Sequence, residues 1–581
     1  MTLPVLIAGA GPTGLTLACD LLSRGIEFRI IDKAPAATAF SKAIVLHART
    51  LELLENMGLV EPFLEHGLPI RGSNFYAGGK RIVHLNMDEI ESHYKYALSI
   101  PQSKTEEILN RKLEAGGCKI ERNLELVELV EKGDLVEARL RRKNDDGSDT
   151  GAEEVLQCRY LVGADGAHST VRKQLGIAFE GAEYEEVFGA ADVACDIQGD
   201  EMHGYLAEEG AVVFFPFGEG RFRIIFSTGD GTADSAHFDT EQPLTMETVE
   251  SVVKVRGPKN VKIDDPHWLS WFRIHKRFAA SYRRGRVFIC GDAAHIHSPV
   301  GGVGMNTGMQ DAINLGWKLA LSIKGLSAED LLDTYEEERR KVGQSVLKGT
   351  HMATKFVTLR HPVALNIRNS LMHMLASHEL VQQRILRTGS LTGVSYRSSS
   401  LSCECHPPLD DSLGRTLRLS EDDGEEKPGL GAWIEFARAP VAGDRALDGE
   451  CRDEQGNDRR LYQYLNSERF QLLLFDGFVA SSDGYSGFTK IESHINNYFP
   501  DLIDVHVVVP EAFGALTLPP YKSVIYDFER ALHKTYGASS ECLYLLRPDG
   551  YIGFRSQPAN LDELVKYLTG IFLMTVVKPN C

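Results

Sequence analysis

Residues 5–32 open with Val5-Leu6-Ile7-Ala8-Gly9-Ala10-Gly11-Pro12-Thr13-Gly14 and close with Phe28-Arg29-Ile30-Ile31-Asp32. The run Val5 to Ala8 predicts a short buried strand. Leu15, Ala18, Leu21 and Leu22 recur at helical spacing and predict a helix stopped by Gly25, and Phe28 to Ile31 predicts a second strand. In a strand, turn, helix and strand of this kind each glycine has a job. Gly9 allows the tight turn, Gly11 lets the backbone approach a pyrophosphate, and Gly14 lets helix and strand pack closely. The helix start, with Pro12 and Thr13, offers unpaired N–H groups and the positive end of a dipole to phosphate. Asp32 stands where a carboxylate accepts hydrogen bonds from a ribose diol, and Lys33 follows it. The stretch therefore reads as a dinucleotide site. The bland alternative is an ordinary strand-turn-helix with incidental glycines.

The chain has 581 residues, which predicts two or three domains. Its net charge of −18 argues against a nucleic-acid surface, which would carry a basic stripe. No apolar run approaches the roughly 20 residues of a membrane span. The best candidate, Leu568 to Val577, reads as a buried final helix or strand. Ten cysteines are scattered, and the one cluster, Cys403-Glu404-Cys405-His406, lacks a second ligand pair, so no metal site is predicted. A glycine turn at residue 9 leaves no room for a leader, and with dispersed thiols this predicts a cytoplasmic protein.

Further along, Lys42 to Leu54 reads as a helix, and Tyr96 to Leu113 as a strand passing through Pro101-Gln102 into a helix. Cys118 to Arg141 alternates apolar and polar residues and predicts antiparallel strands closed by a turn at Lys143 to Thr150. Gly189 to Phe272 is aromatic and β-branched and predicts a sheet-rich insertion. Arg286 to Cys290 returns as a strand, followed by a long helix over 306–324 and more helix to Thr388. Ser398 to Gly431 has linker composition. Beyond it, Phe470 to Phe475 and Val505 to Val509 read as buried strands. Leu543 to Arg555 reads as a hairpin turning at Pro548-Asp549-Gly550, and Leu561 to Leu573 as a closing helix.

Two more turns resemble partners of the first. One is Gly163-Ala164-Asp165-Gly166. The other is Gly291-Asp292, which runs on through Pro299, Gly301-Gly302-Val303-Gly304-Met305-Asn306 to Asp311. The three in this order resemble the single-component flavoprotein aromatic hydroxylases, whose archetype is 4-hydroxybenzoate hydroxylase. The rest of the chain resembles the branch with a C-terminal thioredoxin-like domain, which includes phenol and polyketide hydroxylases. The resemblance implies an α/β fold. A Rossmann-like FAD-binding domain would occupy 1–180 and 273–395, with an inserted β-sheet substrate domain at 181–272. A linker would follow at 396–430, then a thioredoxin-like domain at 431–581 without Cys-x-x-Cys. That last domain is expected to be structural, through packing or a homodimer contact.

The same resemblance implies roles. Asp292 would bind the ribityl chain of FAD, and Gly301 to Asn306, including Gly302, Gly304 and Met305, would lie along the flavin with the helix start aimed at its N1 and O2 edge. Asp165 would shape the FAD and nicotinamide sites, and Gln102 would contact the flavin unless it only caps a helix. Lys42 stands where the family has arginine, keeping charge without the bidentate fork. Val303 replaces a usual glutamine. The implied reaction uses NADPH or NADH to reduce FAD and O2 to form a flavin C4a-hydroperoxide that hydroxylates a phenolic or polycyclic aromatic ring. His47 or Tyr205 would polarise a phenol, Arg221 would face an acidic substrate, and Pro299 would present its carbonyl. The aromatic stretch Tyr205 to Phe226 would form the substrate wall. Each of these side chains has a structural reading as well. Epoxidation, a Baeyer–Villiger step, and flavin binding without turnover are the rival functions.

Overall fold

The computed structural model describes residues 2–38, 43–218, 220–228, 238, 240–357, 378–406, 429–478, 485–510 and 520–573. The chain forms two compact units. The first comprises Met1–Leu51, Val60–Ile313 and Arg339–Gly393, and the second Glu52–Leu59, Asn314–Glu338 and Val394–Cys581.

The first unit is built on a parallel sheet. Strand Leu3–Ala8 lies between Phe28–Ile31 and Asp149–Gly163, and the latter pairs in parallel with Val287–Ile289. Val5, Leu6, Ile7, Leu161 and Val162 are fully buried. A parallel sheet is covered on both faces, which is why these strands read as unbroken apolar runs. Strand Asp149–Gly163 is long because it does two things. Its first half pairs antiparallel with Leu135–Lys143, which pairs in turn with Leu124–Lys132, and its second half enters the parallel sheet. Helix Pro12–Ser23 ends as Gly25, at φ +67°, turns the chain back toward Phe28.

The segment read as one helix from Lys42 divides differently. Val45–Leu46 is a short strand paired with Leu98–Ser99, and the helix is Ala48–Asn56. Ile44 and Val45 are β-branched and favour the extended backbone that the neighbouring ladder completes. Leu51 and Leu54 face inward as expected. Lys42 lies outside the described residues.

An eight-stranded sheet covers the sheet-rich stretch. Its order is His295–Ile296, Ile263–Ala279, Phe179–Cys195, Arg221–Ser227, Gly210–Pro216, Met202–Ala207, Gly72–Ala77 and Lys80–Asn86. The last two strands come from a part of the chain that carried no strand signal. Helix Met246–Arg256, capped by Thr245, packs Val249, Val252 and Val253 onto one face of this sheet.

In the second unit strand Phe470–Phe475 pairs in parallel with Ile503–Pro510 and antiparallel with Cys542–Leu546, which forms a hairpin with Ile552–Ser556. This pairing is thioredoxin-like. The hairpin turns at Arg547–Gly550, where the Gly550 N–H donates to the Arg547 carbonyl at 2.8 Å. Strand Cys403–Cys405 adds to its edge beside Ile552–Ser556. Helix Leu561–Ile571 closes the unit, so the described helix ends two residues earlier than expected, and residues 574–581 lie outside the described part. Within this unit a fully buried charge network forms. Arg547 holds Glu338 at 2.5 Å and Asp549 at 2.5 Å, while Lys318 donates to Glu338 at 2.8 Å. Among the described residues no helix is long and apolar enough to cross a membrane.

Candidate active site

The three glycine turns of the sequence meet. Gly9 has φ +107°, and a Cβ there would overlap the Ala164 backbone, so the first turn sits directly on the second. The Ala164 N–H donates to the Ala8 carbonyl at 2.8 Å, and the Cys290 N–H to the Gly163 carbonyl at 3.0 Å. A Cβ on Gly14 would collide with the Gly9 carbonyl. The Thr13 side chain closes the group, since a Cβ on Gly291 would stand 2.6 Å from its Oγ1. Gly11 is different, because a Cβ there would meet nothing within 4 Å. It faces a cavity of about 220 Å³ lined by Gly9, Gly11, Asp32, Lys33, Leu126 and Asp165 among others.

The acids of the motifs occupy distinct settings. Asp32 accepts the Ala10 N–H at 2.7 Å on one oxygen and the Ala34 N–H at 2.8 Å on the other, with Arg122 at 3.5 Å. Each carboxylate oxygen keeps a further lone pair for a ligand hydroxyl. Asp165 accepts the Thr170 N–H at 2.6 Å and the Val171 N–H at 3.2 Å on Oδ2. Its Oδ1 is buried and has no partner among the described residues. A buried acceptor beside an open cavity lacks a donor, which a ligand hydroxyl would supply.

Asp292 is exposed on the turn Gly291–Ala293. That turn is anchored from beneath by Asp311, whose role the sequence did not reveal. Asp311 accepts the Gly291 N–H at 3.0 Å, His295 Nε2 at 2.8 Å and Arg339 Nε at 2.6 Å, and all three side chains are buried. Burial opposes ionisation of Asp311, but Arg339 and His295 outweigh it and hold the carboxyl below its ordinary range.

The glycine loop before helix Gly304–Ile323 is tied to the short strand Val45–Leu46. Gly302 has φ +64°, where side chains are strained, and a Cβ there would press on Val45 Cβ at 3.2 Å. Its N–H donates to the Pro299 carbonyl at 2.9 Å. Asn306 accepts the His47 backbone N–H at 2.8 Å and donates to the carbonyls of Val45 at 2.8 Å and Gly302 at 2.9 Å. His47 Nε2 lies 2.7 Å from the Gly301 carbonyl. A carbonyl only accepts, so Nε2 carries the proton, and burial keeps the ring neutral by lowering its pKa to about 4. Gly304 and Met305 begin the helix, both half-buried, and Val303 is buried. Gln102 begins its helix, accepts the Ala43 N–H at 3.3 Å and donates to Glu106 at 2.9 Å. Burial raises the Glu106 carboxyl above its usual range.

The stretch Tyr205 to Phe226 presents two faces, because successive residues of a strand alternate. Tyr205 stacks on Tyr76 with ring centroids 4.8 Å apart and packs against the core that includes helix Met246–Arg256. Burial raises its phenol to about 12. Val212, Phe214, Ile224 and Phe226 are fully buried in the same core. Phe75, Val213, Phe215 and Ile225 point the other way and are only half-buried. Of these, Phe75, Val213 and Phe215 pack on a buried cluster of Ile44, Val45, Ile70, Ala97 and Met202, and Val45 also meets the glycine loop. Arg221 is paired with Asp265 at 2.7 Å.

A family described as FAD binding domain matches residues 2–350. The chain is 31% identical to 6-methylpretetramide 4-monooxygenase of Streptomyces rimosus over 586 residues, covering 98% of this chain and 94% of that protein. It is 35% identical to pentachlorophenol 4-monooxygenase of Sphingobium chlorophenolicum over 579 residues, covering 98% and 96%. Among solved structures, the anhydrotetracycline hydroxylase OxyS from Streptomyces rimosus aligns over 100% of both chains with a TM-score of 0.69 and 28% identity. The chain belongs to the FAD-binding, single-component flavoprotein aromatic hydroxylases. It is an FAD-dependent aromatic monooxygenase with an additional C-terminal α/β unit.

Proposed function

We propose that the protein hydroxylates a phenolic or polycyclic aromatic substrate, with NADPH or NADH as reductant. The observation that carries this reading is the packing of the three glycine turns on one another, with the first two lining an open cavity beside Asp165 Oδ1, which has no donor among the described residues. The domains are proposed as 1–180 with 273–395 for FAD, 181–272 for substrate, 396–430 as linker and 431–581 as the last domain.

FAD, when bound, supplies acceptance of two electrons from the nicotinamide and activation of O2. The chain's own residues do the rest. Gly9, Gly11, Pro12, Thr13 and Gly14 would hold the pyrophosphate at a helix N-terminus, where backbone donors and the dipole favour negative charge. Asp32 and Lys33 would take the ribose end, with Lys42 supplying further positive charge. Asp165, Gly291 and Asp292 would accept hydroxyls of the chain between the rings. Gln102, Gly302, Gly304, Met305 and Asn306 would meet the ring itself. The half-buried face of Phe75, Val213, Phe215 and Ile225 supports an apolar aromatic substrate lying beside the glycine loop. Such a wall excludes water, which oxygen transfer to an aromatic ring requires.

The test is to purify the protein, record its visible spectrum, and follow NAD(P)H oxidation across a panel of phenols and fused phenolic aromatics. Bound flavin, substrate-stimulated oxidation and a product heavier by one oxygen are expected. A colourless protein, or oxidation that yields only hydrogen peroxide with every aromatic, would refute the reading.

A further inference from the structure

One peptide group of the glycine loop is gripped on both edges. The Gly301 carbonyl accepts His47 Nε2–H at 2.7 Å, and the N–H of the same peptide, on Gly302, donates to the Pro299 carbonyl at 2.9 Å. The following carbonyl, on Gly302, accepts Asn306 Nδ2 at 2.9 Å. Gly301 and Gly302 have φ +89° and +64°. Two adjacent glycines lose more backbone freedom on folding than any other pair, so their geometry must be imposed by partners. His47 supplies one of these twice over, with its ring on Gly301 and its backbone N–H on Asn306 at 2.8 Å. The next residues begin helix Gly304–Ile323, whose leading N–H groups have no carbonyl one turn back. The loop Gly301-Gly302-Val303 that leads into them sets the direction of those groups.

We propose that His47 is a positioning residue for the reduced cofactor: by holding the Gly301 carbonyl it aims the first N–H groups of helix Gly304–Ile323 at the negative charge the flavin ring gains on reduction. The proposal rests on the FAD-dependent reading above and adds one side chain to it. In this role His47 moves no proton. Its ring is buried, its donor is satisfied by backbone, and its effect passes through Gly301. A preorganised helix start stabilises developing charge without reorganising at the moment of reaction.

The test compares flavin-loaded wild-type protein with His47→Gln and His47→Asn. Gln carries an amide N–H close to where the imidazole has Nε2, and Asn stops one bond short. The readouts are the reduction potential of the bound flavin and the share of NAD(P)H oxidation that ends in hydroxylated product. His47→Asn is expected to weaken binding of reduced relative to oxidised flavin roughly tenfold, the loss of one buried hydrogen bond. The potential moves to more negative values and coupling falls. His47→Gln is expected to stay within about twofold of wild type, because it keeps the donor. An unshifted potential in His47→Asn, or equal shifts in both variants, overturns the proposal. If His47→Asn does not fold, His47→Leu serves in its place, removing the donor but keeping an apolar side chain, with the same negative shift expected and an unchanged potential again overturning the proposal. A wild-type protein without bound flavin would overturn the functional reading itself, whereas flavin-loaded wild type with unshifted variants overturns only the role of His47.

Discussion

At the scale of single residues, several side chains are held in protonation states that the folded chain dictates. Burial lowers His47 to about 4, His297 to about 3 and His506 to about 4, from an ordinary value of 6.5. Between pH 6.5 and 4 the unfolded chain therefore binds protons at these positions that the folded chain refuses. Stability falls as the pH falls through that window, and each ring accounts for roughly 3 kcal/mol across it. Thermal melting recorded from pH 7 down to pH 4.5 should show a steady decline, and His47→Gln should flatten the slope. Asp292 behaves differently, because it is exposed and Asp311 anchors its turn. Asp292→Ala should leave the melting temperature within about 2 °C, as for an exposed substitution. It should lower flavin content or turnover at least tenfold, the loss expected for a charge-assisted hydrogen bond. Full flavin and full activity would show that Asp292 does not hold the cofactor. The sequence exposed Asp292 through its motif but not Asp311. A buried acid on an apolar helix looks the same in sequence as a solvated one, and only its three partners distinguish it.

At the scale of elements, the second and third glycines of the first turn have different duties. Gly14 is packed on the Gly9 carbonyl, whereas Gly11 faces open space. Gly14→Ala should destabilise the flavin-free protein by about 1–3 kcal/mol, as overpacking does. Gly11→Ala should melt like wild type without flavin and fail to retain it. Comparison of both melting curves and flavin content separates the two, and identical behaviour would remove the distinction. The glycine spacing made this turn legible from the sequence because each residue type is required by local geometry. The eight-stranded sheet was legible as strands but not as faces. Alternation says that Val212 and Val213 point opposite ways, but not which of them helix Met246–Arg256 covers. Phe215→Ala should therefore change substrate KM or the range of aromatics accepted severalfold, while Tyr205→Phe should leave both nearly unchanged. The reverse pattern would place the substrate on the helix-covered side. Strands Gly72–Ala77 and Lys80–Asn86 carry no clean period in the sequence, because small and polar Gly72, Ser73 and Asn74 are buried while Lys80 and Arg81 are exposed.

At the scale of the whole molecule, the second unit is assembled from three separated pieces of chain. Arg547 lies on its hairpin turn, yet Glu338 and Lys318 come from residues 314–338. Arg547→Met would leave the Glu338 and Asp549 carboxylates buried without their main cation. The expected cost is about 3–5 kcal/mol, read as a lower denaturation midpoint. An unchanged midpoint would mean that water or Lys318 alone compensates. The sequence suggested a separate C-terminal domain from its linker composition and its buried strands. It gave no sign of the earlier segments, because Glu338 sits in a charged run that resembles any solvated helix.

This interleaving constrains how such a gene can be shuffled. A crossover at the polar stretch after residue 406 would bring in a foreign Arg547 and Asp549 while keeping the resident Lys318 and Glu338. The hybrid would be viable only where both parents agree on that ionic set. Inheritance of the last part of the chain is thus tied to the passage that holds Lys318 and Glu338 wherever the two parents differ in that ionic set.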